Sequence, residues 1–321
     1  MANYYAAISH YFQNRMGKIE VYLDPPMEHK FRSRPGWILQ IFFLKALYLA
    51  AECREDELLK CIEEMEEYNH ALTHQDFSNE IRIMKCEFYM MQGNITKAWN
   101  ISLKADFEKR GVTHRYFCPR LTRIKLLIFK GDSKHLESAK QLILEFERDS
   151  GEPQSRIFSL QLQSLKIMLL IKQEDIYAAL DLLKDLLKET QKETIIRLYT
   201  DLGEEMRTLL NELNHRGEME SHFLQVLASF DERDHFMELK KQKVRLQEIF
   251  EIFNSLSSVE LKILESISKG MRNKEIADDM HYSLGTVKTY LYNIYKKIEV
   301  KNRTNAILLY NDFRKSQVSI T

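Results

Sequence analysis

Between Leu284 and Ile298 the chain carries three lysines and no acid, interleaved with Thr286, Thr289, Tyr290 and Tyr292. At about 100° per residue, Gly285, Lys288, Thr289, Tyr292 and Lys296 share one helical arc of about 100°. Val287, Leu291, Ile294 and Ile298 fall within about 60° of one another on the other side. One face is therefore built for an apolar core, and the other presents cations, hydroxyls and an aromatic ring. Such a face suits a polyanion with readable edges: lysine for phosphates and guanine acceptors, threonine for donors or acceptors, an aromatic ring for apolar contact. Charge on an outer surface is ordinary by itself, so the reading depends on the elements that position this face.

Those elements are legible upstream. Ser257 followed by Glu260 is a capping box that opens a helix. Leu261, Leu264 and Ile267 keep a helical spacing until Gly270, a C-terminal stop. Asn273 is placed to cap a second helix burying Ile276, Ala277 and Met280. His281 and Tyr282 make the turn, and Ser283 can cap the third helix. Three short helices with a tight turn before the third have the layout of a helix-turn-helix, whose second motif helix enters the DNA major groove.

The stretch also resembles the C-terminal DNA-binding domain of the LuxR/GerE family. The resemblance rests on Leu256-Ser257-x-x-Glu260, Asn273-Lys274-Glu275-Ile276-Ala277, Ser283-x-x-Thr286-Val287-Lys288, Asn293-Ile294-Tyr295-x-Lys297 and Asn302-Arg303-Thr304-x-Ala306. It agrees with the angular argument in placing Lys288, Thr289 and Tyr292 on base edges. Lys274, Thr286, Tyr290, Lys296 and Arg303 are expected on phosphates. Tyr292 stands where many relatives carry a polar or basic residue, so stacking or a thymine methyl contact would replace a hydrogen bond there. Tyr290 replaces a frequent His, and Val259 a frequent Arg. A last helix capped by Thr304 is expected to expose Ile307, Leu308, Tyr310 and Phe313. The resemblance implies that Ile307, Leu308 and Tyr310 pair two domains, giving a homodimer on double-stranded DNA.

The 321 residues balance 47 Lys/Arg against 47 Asp/Glu, yet unevenly. Residues 256–321 hold 11 basic and 7 acidic side chains, a net of +4 that leaves −4 for the rest. A basic tail domain on a mildly acidic body confines polyanion contact to the C-terminus. The four cysteines, Cys53, Cys61, Cys86 and Cys118, show no metal or redox spacing and lie in apolar helical patterns, as in a protein of the reducing cytoplasm. The opening residues lack the form of a signal peptide. The most apolar run, Leu39 to Ala51, is too short to span a bilayer. The ten histidines are scattered, so they read as surface or turn residues and no metal or cofactor is expected. Glu63, Glu64, Glu66 and Glu67 read as a solvated helix face. Tyr4, Tyr5, Tyr11 and Phe12 are expected in the core, with a ligand groove as the alternative.

With 10 Gly and 5 Pro, the body before residue 254 reads as successive helices, over roughly 3–22, 37–52, 56–72, 78–92, 94–109, 119–130, 134–148, 155–172, 175–189, 193–213 and 217–252. Helical hairpins with turns near Gly93, Gly131 and Lys172 recur about 40 residues apart, each with an early alanine (Ala98, Ala139, Ala178). The period suits tetratricopeptide-like units, although the 34-residue consensus and its Trp-x-x-Leu-Gly signature are missing. The expected fold is therefore all-α, with a helical-repeat effector domain over 1–253 and a helix-turn-helix domain over 254–321. Ile196-Arg197-Leu198-Tyr199-x-Asp201-x-Gly203-Glu204-x-Met206, with Leu209-Leu210, resembles the end of the repeat domain in MalT-like regulators. Such proteins carry an ATP-binding P-loop ahead of their repeats. Here Gly17-Lys18 lacks both the earlier glycine and the following hydroxyl, so no ATP binding is expected. The chain then either dispenses with that switch or is the C-terminal piece of a longer regulator. An interaction scaffold with a vestigial helix-turn-helix is the competing class, separable by salt-dependent DNA binding. No motif supports an enzyme.

Overall fold

A computed structural model describes residues 2–108, 117–148, 155–215 and 221–318. Sparse glycine and proline leave helix as the default, and part of the punctuation falls at helix ends. Pro35 and Pro119 open α3 (Pro35–Ala51) and α7 (Pro119–Lys130), where the missing N–H costs nothing. Before them run α1 (Ala2–Phe12) and α2 (Glu20–Glu28), and between them α4 (Glu55–His70), α5 (Ser78–Met91) and α6 (Ile95–Ser102). There follow α8 (Ser133–Arg148), α9 (Arg156–Lys172), α10 (Ile176–Gln191), α11 (Arg197–Thr200), α12 (Glu204–His215) and α13 (Ser221–Asn254). The chain ends in α14 (Ser258–Ser268), α15 (Asn273–Asp279), α16 (Leu284–Lys297) and α17 (Arg303–Val318). None of the described helices is long and apolar enough to cross a membrane.

Two compact units result, Met1–Arg233 and Asp234–Thr321. The second reaches back beyond residue 254 because Ile249 and Phe253, on the last turns of α13, are buried in the C-terminal core. In the first, α3 packs on α4, α5 on α6, α7 on α8 and α9 on α10, while α3, α5, α7 and α9 also touch in succession. Asn94 and Asp175 cap α6 and α10 through their side chains. Gly131 ends α7 at φ +78, a left-handed conformation that suits glycine. Ala98 and Ala139 are fully buried where the hairpins close; in the third hairpin that position is Ala179 rather than Ala178.

Several expectations need correction. The span 3–22 breaks after Phe12, where Asn14 takes φ +56, and α2 continues across Pro25-Pro26 instead of ending before them. Gly203, at φ +78, divides 193–213 into α11 and α12. Tyr4 and Tyr11 are core residues, as expected, because α1 packs on α3 and α11. The Ile196 N–H donates to the Phe12 carbonyl at 2.7 Å, and the Tyr11 hydroxyl to Asp201 Oδ2 at 2.7 Å. His222 is a buried exception among the histidines: its Nε2 lies 3.1 Å from Thr190 Oγ1, which is also 2.6 Å from the Tyr199 hydroxyl. Burial pushes the Cys61 and Cys86 thiols up to about 12, which keeps both unreactive.

Candidate nucleic-acid interface

The C-terminal core assembles from the apolar faces of its helices. Ile263, Leu264 and Ile267 of α14, Ile276 and Ala277 of α15, and Val287, Leu291 and Ile294 of α16 are buried together with Ile298. Ile263 takes the place expected of Leu261, which is half-buried. The capping box forms: Ser257 N–H donates to Glu260 Oε2 at 2.8 Å, and Glu260 N–H to Ser257 Oγ at 3.3 Å. The Glu260 carboxylate is buried and also accepts from Lys297 Nζ at 2.9 Å. Burial alone would raise its pKa; the Lys297 and Ser257 hydrogen bonds outweigh it and hold the carboxyl below its ordinary range. Gly270, at φ +85, lets the Met271 N–H return to the Ser266 carbonyl at 3.2 Å. In the turn before α16, His281 takes φ +56 and the Tyr282 N–H reaches the Ala277 carbonyl at 2.9 Å. Ser283 Oγ then accepts the Thr286 N–H at 3.0 Å and caps α16.

The opposite face of α16 is open. Gly285, Lys288, Thr289, Tyr292 and Lys296 are all exposed, Tyr292 by 68%. The Thr289 hydroxyl donates to the Gly285 carbonyl at 3.1 Å, so its oxygen faces outward as an acceptor. Lys274 is exposed on α15, whereas Thr286 and Tyr290 are half-buried. The Tyr290 ring lies 5.8 Å from that of Tyr282. Leu284 is 43% exposed at the first position of α16. Its angle places it about 40° from Lys288, at the border between the outer arc and the core face.

Residues 254–310 match the family model described as bacterial regulatory proteins, luxR family. The chain ends in a LuxR-type DNA-binding domain. DNA binding is implied by that domain. Residues of this chain are 40% identical over 70 positions to the response regulator protein VraR of Staphylococcus saprophyticus, S. aureus and S. epidermidis. The likeness covers 22% of this chain and 34% of each relative, so this chain spans about a third of their length.

Within the LuxR-type domain several expectations change. Helix α17 starts at Arg303, so Thr304 is not its cap; Asn302 Oδ1 accepts the Asn305 N–H at 2.8 Å instead. Asn273 is the first residue of α15 rather than its cap; the Arg272 N–H is met by the Glu275 carboxylate at 2.5 Å. Asn273 instead accepts from Arg303 Nη1 at 3.2 Å, while Arg303 Nη2 donates to the Met271 carbonyl at 2.5 Å. Arg303 thus ties the start of α17 to the start of α15. On α17, Tyr310 and Phe313 are buried, not exposed: Phe313 stacks on Phe253 at 4.4 Å, and the Tyr310 ring lies 6.0 Å from it. Phe253 of α13 supplies the cover that the last helix lacks by itself. Ile307 is half-buried, and Leu308 stays 59% exposed.

Proposed function

We propose that the chain is a bacterial transcriptional regulator, acting in the cytoplasm, that binds double-stranded DNA as a homodimer under the control of its helical N-terminal unit. The observation that carries the DNA half is the exposed, acid-free face of α16, set by a capped helix on a fully apolar inner face. Lys288 would meet guanine O6 or N7. Thr289, its proton already engaged, would accept from the amino group of adenine or cytosine. Tyr292 and Leu284 would press on thymine methyls. Lys274, Thr286, Tyr290 and Lys296 would hold phosphates, with Arg303 fixing the pose of α15.

The control half is supported by the consecutive hairpins and their buried alanines, a pattern in which each unit covers its apolar face only by stacking on the next. We assign the N-terminal unit, which ends at Arg233 rather than at residue 253, to tetratricopeptide-like repeats of the kind found in MalT-like regulators, taking an effector or a protein partner. The test is a fluorescence-anisotropy titration of the intact chain with duplex DNA over a range of salt. Contact with about 3–6 phosphates per domain gives a slope of log affinity against log salt of about −3 to −5. Absence of duplex binding at low salt, or a flat salt dependence, overturns the reading.

A further inference from the structure

We propose that the N-terminal unit holds a binding site for a small organic anion with an apolar flank. The site is a cavity of about 390 Å³ with Lys172, Arg197 and Arg233 on its polar side. Every residue that lines it lies within Met1–Arg233. The volume falls in the range of small-molecule sites, about 300–1,000 Å³.

The inference starts at Arg197, which is only 4% exposed. A guanidinium removed from water is costly unless its charge and its N–H groups are matched. Its charge is met by Asp201, and its plane lies over the Tyr11 ring at 5.3 Å. Its Nε, however, has no hydrogen-bond partner among the described residues. Arg197 also lines a second cavity, of about 100 Å³, that reaches between α1, α7 and α9, so the two cavities meet at the Arg197–Asp201 pair.

The remaining walls define the guest. Lys172 pairs with Glu205, and Arg233 Nη1 donates to the Thr200 carbonyl at 3.1 Å. Three cations against Asp201 and Glu205 leave one positive charge, which suits a single oxyanion. The same lining holds Ala50, Met90, Met91, Ile95 and Phe129, a surface for a ring or a hydrocarbon chain. The exposed turn residues Gln92 and Gly93 complete the lining. Arg233 lies on α13, and occupation of this cavity would be the effector input of the proposed regulator. That regulatory use rests on the function proposed above; the binding itself does not.

The experiment is a fluorescence titration of the intact chain, without DNA, using anilinonaphthalene sulfonate as the probe. It combines one oxyanion with an apolar flank. One saturable site is expected. Arg233→Gln should weaken it about tenfold, the loss of a charge-assisted hydrogen bond. Ala50→Phe should do the same by filling the apolar side. Thermal melting reports whether each variant folds, and the half-buried Arg233 position decides if Ala50→Phe does not. Competition by phenyl phosphate or by 4-phenylbutyrate tells a phosphate ester from a carboxylate. Non-saturable binding, equal binding by wild type and folded variants, or failure of both competitors overturns the site. A chain that binds the probe but not DNA would leave the site standing and remove the regulator, so the two failures are distinguishable.

Discussion

Lys288 and Lys274 carry the same charge on different elements, so their removal should fail in different ways. Lys288 lies on the outward arc of α16, and Lys288→Ala should cost about 1–3 kcal/mol and relax base preference. Lys274, on the flanking helix, should weaken all duplexes alike. Sequence selection with each variant checks the pair; unchanged preferences for Lys288→Ala would sink the groove assignment. Glu260 supports a separate prediction. Because its folded pKa is depressed, its contribution is present above the ordinary carboxylate range and is lost as pH falls through the folded value. Glu260→Gln should therefore loosen α14 and α16 by about 1.5–3 kcal/mol at neutral pH. The gap from wild type should begin to narrow only below the ordinary carboxylate value of 4.5 and close once pH is below the lowered folded value. Hydrogen exchange on the intact chain, read at the amides of these helices, measures both. Ser257, Glu260 and Ser283 were legible as caps because caps act within one turn. The Arg303–Asn273 and Lys297–Glu260 pairs, separated by 30 and 37 residues, were not: composition and period carry no information on which distant side chains meet.

Helix α16 shows how far periodicity reaches. Its four inner residues and its five outer ones were separable from the 3.6-residue turn, and the fold keeps that division. Gly285 is the odd member. It sits at the middle of the outer arc, and a Cβ there would meet only Ser283 Oγ, at an ordinary 3.6 Å. Gly285→Ala should therefore stabilise the helix, by up to about 0.5 kcal/mol in this first turn, the low end of the mid-helix effect. It should nonetheless weaken duplex binding, since the added methyl points at the docked surface. Thermal melting and anisotropy on the same variant decide the matter; a more stable protein with undiminished affinity would place the glycine outside the interface. The ends of elements were harder to read. Asn14 breaks the first helical span without glycine or proline to announce it, and a pattern of apolar residues alone runs on through such a turn. Tyr310 shows the other limit. A short final helix looked too apolar to cover itself, but Phe253 from α13 supplies the missing partner, and only tertiary packing could reveal that.

At the scale of the whole molecule, the charge partition and the two classes of helical pattern were visible at once, whereas the boundary between units was not. It falls inside the uninterrupted α13, where no loop signal exists. The correction on α17 also sharpens the expectation for assembly. Two half-sites one helical turn apart reward a dimer, since the second domain then binds intramolecularly and avidity rises by about 10² or more. Of the apolar residues expected to pair two copies, Leu308 is the exposed one, so it is the position that can be altered without opening the core. Leu308→Glu should cut binding to paired half-sites far more than binding to a single half-site. Tyr310→Glu should lower both together, because it buries a charge beside Phe253 and Phe313 and unfolds the domain that reads DNA. Gel shifts with matched single and paired probes separate these outcomes. Equal losses for Leu308→Glu on the two probes would show that α17 serves its own domain alone and that any pairing of copies is made elsewhere in the chain.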